Sequence, residues 1–408
     1  MNNVNRLRPM PSHLITYEGE AIVITDLAGF IGSGVEGFYY RHTRFLSKMR
    51  FTVGGEPPRA VSANPVDSHS LIAYYLAASP AGGKAGPQPD KAESASEMVQ
   101  HGIEIQINRF VGGGLHHDVY VTNHALAPAT IVLCWEIDAD FADRSEAENG
   151  ERQQNAPIER QWRLREGDGD LAFRYRHPQL RHATEIRFSG SDGLLEKDGA
   201  VCCILNLAPQ QPVSLGVDVI PVFCEKPVTL RHGRDAFAAV PGEATSDDGL
   251  RMTACSEPVQ RAWDRAVSDL ASLAMLEGEG VARRTPAAGV PKYLALFGRD
   301  VLNTAFQAGF LAPEMMRGSL LRIAEWNADK YDDRYDEQPG RVLHQRQLGP
   351  LALLKKNPFL HYYGDYSAPG LFLIDLAWDL ALTGDKEFFL SMRDKALHTL
   401  EWMDRDGD

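Results

Sequence analysis

A chain of 408 residues, 44% hydrophobic and 24% charged, has the composition of a soluble globular protein with two or three domains. Its net charge of -13 and pI near 5.5 leave no basic cluster for nucleic acid or an anionic lipid surface. No apolar run reaches the ~18 residues a membrane span needs, and the N-terminal MNNVNRLRPMPSHLITYEGE lacks the apolar core of a signal peptide. A cytoplasmic location and a neutral ligand such as a glycan are the expectations. Five cysteines (Cys134, Cys202, Cys203, Cys224, Cys255) are too few and too irregularly spaced for a disulfide framework or zinc site. They are expected to be buried reduced thiols, Cys202 and Cys203 pointing to opposite faces of one strand.

The first half alternates by twos. Ile103, Ile105 and Ile107 are separated by Glu104 and Gln106, and Val213, Leu215, Val217 and Val219 by Ser214, Gly216 and Asp218. Similar short runs lie near 20–25, 117–123, 130–137, 182–188 and 200–206. Many strands without intervening helices predict an antiparallel β-sandwich over 1–245. The polar stretches 79–96 and 141–160 are expected to be surface loops. GFYYRHTRFLSKMRF at 37–51 predicts a strand pair with aromatic cross-strand contacts, or a surface facing a neighbouring domain or substrate. His116, His117 and His124 match no familiar ligand spacing and are expected to be solvated, so neither metal nor cofactor is anticipated.

From Ser256 the period lengthens. Ser256-Glu257-Pro258 opens a helix, and Val259, Ala262, Trp263, Ala266, Val267, Leu270 and Leu273 follow at steps of three and four. Further helices are predicted to begin near Asp300 and at Pro313, and to cover 369–382 and 386–403. The 369–382 segment is apolar nearly all round, as an inner helix of a double-layered helical barrel would be. Residues 246–408 thus read as the first part of an α/α barrel, since five helices do not close two concentric rings.

Between these helices, residues 284–368 hold loops dense in Asp, Arg, His, Gln and Tyr. Stacking rings and planar polar groups are what a hydroxyl-rich ligand requires. Asp332, Asp333, Asp336 and Glu337 crowd one six-residue loop, where mutual repulsion would push one carboxyl toward holding its proton. Asp336 and Glu337 are therefore candidate catalytic carboxyls, and the resemblance described next adds Asp365. Arg299 and Asp300 begin a helix, where Asp300 could simply cap it or both could bind sugar hydroxyls. His344, Gln345, Arg346, Tyr362 and Tyr363 are further ligand contacts, while Trp326 could stack or belong to the core.

The stretches FGRDV, DDRYDEQPGRVLHQR and YYGDYSAPGLFL resemble the glycogen-debranching and amylo-α-1,6-glucosidase-like proteins of the six-hairpin (α/α)6 glycosidase group. VITDLAGFI (23–31), GFYYRHTRFLS (37–47) and VTNHALAPATIVLCWEIDADFAD (121–143) resemble the all-β domain preceding the barrel in bacterial members. The resemblance implies metal-independent, inverting hydrolysis of an α-glucosidic linkage in an oligosaccharide or glucan, the α-1,6 bond foremost. Inversion requires an acid and a base about 6.5–9.5 Å apart. The resemblance places the acid-bearing loop at Asp365 and favours ligand binding by Arg299 and Asp300. The chain also departs from the pattern. Gln345 replaces a carboxylate, Ser367 stands where relatives carry the Asp of that loop, and His42 replaces the Asp of DTRF. Relatives continue for several hundred residues that carry the other catalytic carboxylate. A non-hydrolytic or altered glycan-binding protein therefore remains an alternative.

Overall fold

The computed structural model describes residues 12–79, 102–165, 167–191, 193–231, 252–276 and 284–406. The expected 79–96 loop beyond Ser79, and the expected domain boundary at 245/246, lie outside the described residues. The chain forms two compact units. One comprises Met1–Thr16, Ile22–Tyr39 and Arg44–Leu230, the other Tyr17–Ala21, Tyr40–Thr43 and Arg231–Asp408.

The strands are β1 (Leu14–Glu18), β2 (Ala21–Thr25), β3 (Gly37–Tyr40), β4 (Thr43–Leu46), β5 (Lys48–Val53), β6 (Arg59–Pro65), β7 (Ser70–Ala78), β8 (Gly102–Gly112), β9 (Gly114–Asn123) and β10 (Ala129–Asp138). After a short helix α1 (Arg144–Asn149) come β11 (Ile158–Arg165), β12 (Asp168–Tyr175), β13 (Ala183–Ser189), β14 (Leu194–Lys197), β15 (Ala200–Leu207) and β16 (Pro212–Phe223). They form sheets ordered β1-β2-β3-β4, β14-β15-β10-β5 and β11-β12-β13-β16-β9-β8-β7-β6, the last extended by a short strand on β16. The expected antiparallel all-β architecture is present. Alternation creates the core: Ile131, Leu133, Trp135 and Ile137 of β10 point inward while the residues between them do not. Trp135 of β10 meets Phe188 of β13 at 5.5 Å, and Phe51 of β5 meets Tyr75 of β7 at 5.0 Å, joining separate sheets through edge and tilted ring contacts.

Three expectations fail here for physical reasons. The 141–160 stretch is not a solvated loop. Phe141 and Ala142 are buried, and Glu146 is buried while accepting from the N–H groups of Asp143, Gln153 and Gln154 and from the Gln154 side chain. Arg44 grips Asp140 through two bonds of 3.0 and 2.5 Å. Charges that look solvated in sequence satisfy one another. Nor are His116 and His117 solvated: His116 is clamped by Asp218 at 2.6 Å and Asp118 at 3.0 Å, and His117 accepts from Arg109 at 2.9 Å. Finally, Cys134 and Cys202 form a disulfide, because β10 and β15 set them directly opposite each other. Cys203 is buried and free, whereas Cys224 and Cys255 are exposed.

The helical unit contains α2 (Glu257–Ser272), α3 (Gly298–Ala308), α4 (Pro313–Glu325), α5 (Pro350–Leu353), α6 (Ser367–Thr383), α7 (Lys386–Ser391) and α8 (Arg393–Asp406). Ser256 precedes α2 as expected, but it contributes only its carbonyl, accepting from Val259 and Gln260. The predicted 386–403 helix breaks at Met392 into α7 and α8. Helices α3, α4 and α6 pack on one another, α6 through Ala368, Phe372, Asp375, Leu376 and Asp379. The opposite side of α6 stays open, with Ile374 52% and Leu382 40% exposed, so this helix is not enclosed as its composition suggests. Among the described residues these helices do not close a ring. Nor is any of them long and apolar enough to cross a membrane.

Candidate functional site

A three-strand ribbon carries the polar loops of the helical unit. Leu296–Phe297 pairs with Gln345–Arg346, and Tyr362 bridges to Gln345 from a third segment. The Gly298 N–H donates to the His344 carbonyl at 2.7 Å, bringing the start of α3 onto the ribbon. A Cβ at Gly298 would collide with the Leu343 carbonyl, so glycine is required there. The acidic loop closes through reciprocal main-chain bonds between Asp332 and Glu337, both 3.0 Å. Helix α8 holds the end of that loop: Trp402 Nε1 donates to Gln338 at 2.7 Å, and Gly340, with φ of 91°, lies against the His398 carbonyl.

Alternate residues of the 361–363 segment meet different partners, dividing the candidates into two groups. The first surrounds Tyr362 and His344, whose rings lie 5.6 Å apart. The Tyr362 hydroxyl bonds the Asp336 carboxylate, which holds the phenol above its usual range. Arg341 donates to the Asp336 carbonyl at 3.0 Å, its guanidinium 4.9 Å from the Tyr366 ring. Asp365 is 8% exposed. Its Oδ1 accepts from the Ser367 N–H and hydroxyl, both at 2.8 Å, while its buried Oδ2 has no donor. Burial alone would raise this carboxyl, but the Ser367 donors, with the fields of His344 and Arg299, hold it below its usual range. Burial, opposed by Asp365 and Asp300 and aided by Arg299, lowers the imidazole of His344, whose buried Nδ1 also has no partner. Asp300 sits in the first turn of α3 without capping it.

The second group surrounds His361, which sequence reasoning missed; its only signal was a histidine directly before the tyrosine pair. Glu337, 6% exposed, places Oε2 3.9 Å from both His361 Nε2 and Lys330 Nζ, and that oxygen accepts no hydrogen bond. Burial raises the Glu337 carboxyl above its usual range; Asp329 and Asp332 add to this and Lys330 opposes it. The His361 ring lies 4.1 Å from Tyr335 and 6.2 Å from Trp326. Arg346 covers Trp326 at 4.4 Å and Arg334 covers Tyr335 at 5.9 Å. Trp326 therefore stacks, but on protein groups. Tyr363 is buried, donating to the Trp326 carbonyl at 2.9 Å.

Two candidates fall elsewhere. The side chain of Gln345 is buried and accepts from Gln347 at 3.4 Å. Arg346 borders a pocket of about 20 Å³, lined also by Glu20, Arg41, His42 and Arg322. That volume holds roughly one water and cannot admit a sugar ring. Burial and the nearby Arg322 lower its guanidinium to about 10. Among the described residues, no group of His, Cys, Asp and Glu is positioned to hold a metal ion.

Residues 17–218 match the N-terminal domain of some glycogen debranching enzymes. No curated protein matches the chain. Among solved structures, the chain is similar to a protein described as a kojibiose phosphorylase from the human microbiome, with a TM-score of 0.54 and 9% identity. The match covers 95% of this chain but only 56% of the other, and at that identity it establishes the fold alone. Slr1438 from Synechocystis sp. PCC 6803 matches with a TM-score of 0.30 at 10% identity over 54% of this chain and 98% of its own. A galactose mutarotase related enzyme from Lactobacillus acidophilus matches with a TM-score of 0.30 at 9% identity, covering 53% of this chain and all of its own. Neither of the last two carries an argument.

Proposed function

We propose, from the premise that residues 17–218 belong to the family of N-terminal domains of some glycogen debranching enzymes, that this chain acts on an α-glucosidic bond of an oligosaccharide or glucan, α-1,6 foremost. The observation that carries the reading is the pair of buried, unpartnered atoms beside Arg299 and Asp300, Asp365 Oδ2 and His344 Nδ1. An orphaned carboxylate oxygen needs a donor, and a sugar hydroxyl both donates and accepts. Asp365 and His344 then grip adjacent hydroxyls, Arg299 and Asp300 extend the contact, and Tyr362 offers a ring held in place by Asp336.

Glu337 is assigned as the general acid, because burial raises its carboxyl above its usual range and its buried Oε2 faces His361 with no donor. An acid must keep its proton near neutral pH to give it to the leaving oxygen. In an inverting reaction a second carboxylate activates water from the opposite face. Non-hydrolytic glycan binding is the second reading, favoured by the ionised state of Asp365 and the amide at Gln345.

Reducing-sugar release from a branched glucan, alongside calorimetric binding of maltodextrin, separates them. Hydrolysis predicts that Glu337→Gln lowers kcat by about a hundredfold or more with binding kept, and that Asp365→Asn weakens binding by about tenfold. Saturable binding without release would leave the binder.

A further inference from the structure

We propose that His361 is the positioning residue of Glu337, holding its carboxyl at Nε2 and returning a proton to it from solvent after each turnover. The inference rests on the assignment of Glu337 as general acid. His361 Nε2 stands 3.9 Å from Glu337 Oε2, the buried oxygen that no donor satisfies. Main-chain bonds to Asp332 fix the backbone of Glu337, so the carboxyl cannot travel far for another partner. Tyr335 and Trp326 fix the imidazole in turn, lying at 31° and 26° to its plane. The His361 side chain is still 22% exposed, so water reaches the ring while one edge meets the carboxyl.

Imidazole is the side chain able to take a proton at one nitrogen while giving one from the other. As the glycosidic C–O bond breaks, the Glu337 proton passes to the leaving oxygen. The resulting carboxylate takes the Nε2 proton of His361, and Nδ1 takes one from water, so the ring ends neutral in its other tautomer. Exchange with water restores the first tautomer. The proton lost by the attacking water replenishes the solvent, and none is gained or lost over the cycle. The charges facing this pair are Lys330, Asp329 and Asp332 around the carboxyl, with Lys330, Lys355, Arg346 and Asp332 around the ring. Burial first, then Lys330, Arg346 and Lys355, lower the imidazole, and Asp332 opposes them.

The test uses the full chain and a branched glucan. His361→Phe keeps a ring in the stack but removes both nitrogens. It is expected to lower kcat by about tenfold with KM nearly unchanged, to shift the alkaline limb of the kcat profile, and to recover in part with added imidazole. Unchanged kcat and pH profile in His361→Phe would overturn the proposal. Unchanged kcat in Glu337→Gln would instead overturn the assignment of the acid. Independently of turnover, the His361 ring resonances in the NMR spectrum should move in Glu337→Gln, which changes the group facing Nε2. Resonances that stay put overturn the pairing even if no sugar is released.

Discussion

Asp365 and Glu337 are both buried carboxyls, yet burial wins at one and loses at the other. Ser367 gives Asp365 two donors, enough to keep it charged, whereas Glu337 Oε2 has none. In the sequence both residues stand with Asp336 among the candidate acids, because spacing reveals which groups share a loop and not which receive donors. Ser367, read as a loss of function, proves to be the source of those donors. Asp375 carries the same logic into the helical core. It is fully buried, neither oxygen has a donor, and burial pushes it up to about 7. A carboxyl whose folded pKa exceeds its unfolded one contributes most below the unfolded value, and that contribution is lost as pH rises through the folded value. Asp375→Asn should therefore leave the Tm near pH 4 unchanged and raise it near pH 8, by up to about 4 kcal/mol of stability. Scanning calorimetry at both pH values checks this; equal Tm values near pH 8 would rule it out.

Among the elements, the strands were legible because one face of each is buried, and burial imposes a period of two on the sequence. The 141–154 segment was not. Its core is a carboxylate rather than apolar residues, and composition cannot distinguish a satisfied charge from a solvated one. Removing that carboxylate in Glu146→Ala strands the donors of Asp143, Gln153 and Gln154. The expected cost is about 3 kcal/mol, read as a lower urea midpoint. Gly298→Ala should cost about 1–3 kcal/mol by forcing the start of α3 off the ribbon. Because Arg299 moves with it, glucan binding should weaken as well, measured by calorimetry on the folded variant. The helix start at Pro313 was legible, and the predicted 369–382 helix begins slightly earlier, at Ser367; the break at Met392 was not legible, since the apolar spacing continues across it.

For the whole molecule, the sequence reads as 1–245 followed by 246–408, whereas Tyr17–Ala21 and Tyr40–Thr43 belong to the second compact unit; the match of residues 17–218 to the N-terminal domain of some glycogen debranching enzymes was visible in their motifs. The disulfide was not, because pairing depends on which strands are neighbours, and β5 and β15 reach β10 from distant parts of the chain. Thiol counting under native, non-reducing conditions should find Cys224 and Cys255 reacting fast and Cys203 only on unfolding, with Cys134 and Cys202 joining after reduction. Five thiols counted on unfolding without a reductant would disprove the bond.

The second unit is not one continuous length of polypeptide. It includes Tyr17–Ala21 and Tyr40–Thr43, where Gly19 donates to the Ser272 carbonyl, Glu18 pairs with Arg231, and Glu20 with Arg41. A single scissor cut in the gene near codon 231 would therefore sever this body from threads woven into it at the outset. Anyone wishing to study the second unit alone must carry the opening forty-odd codons along, or supply them as a separate peptide.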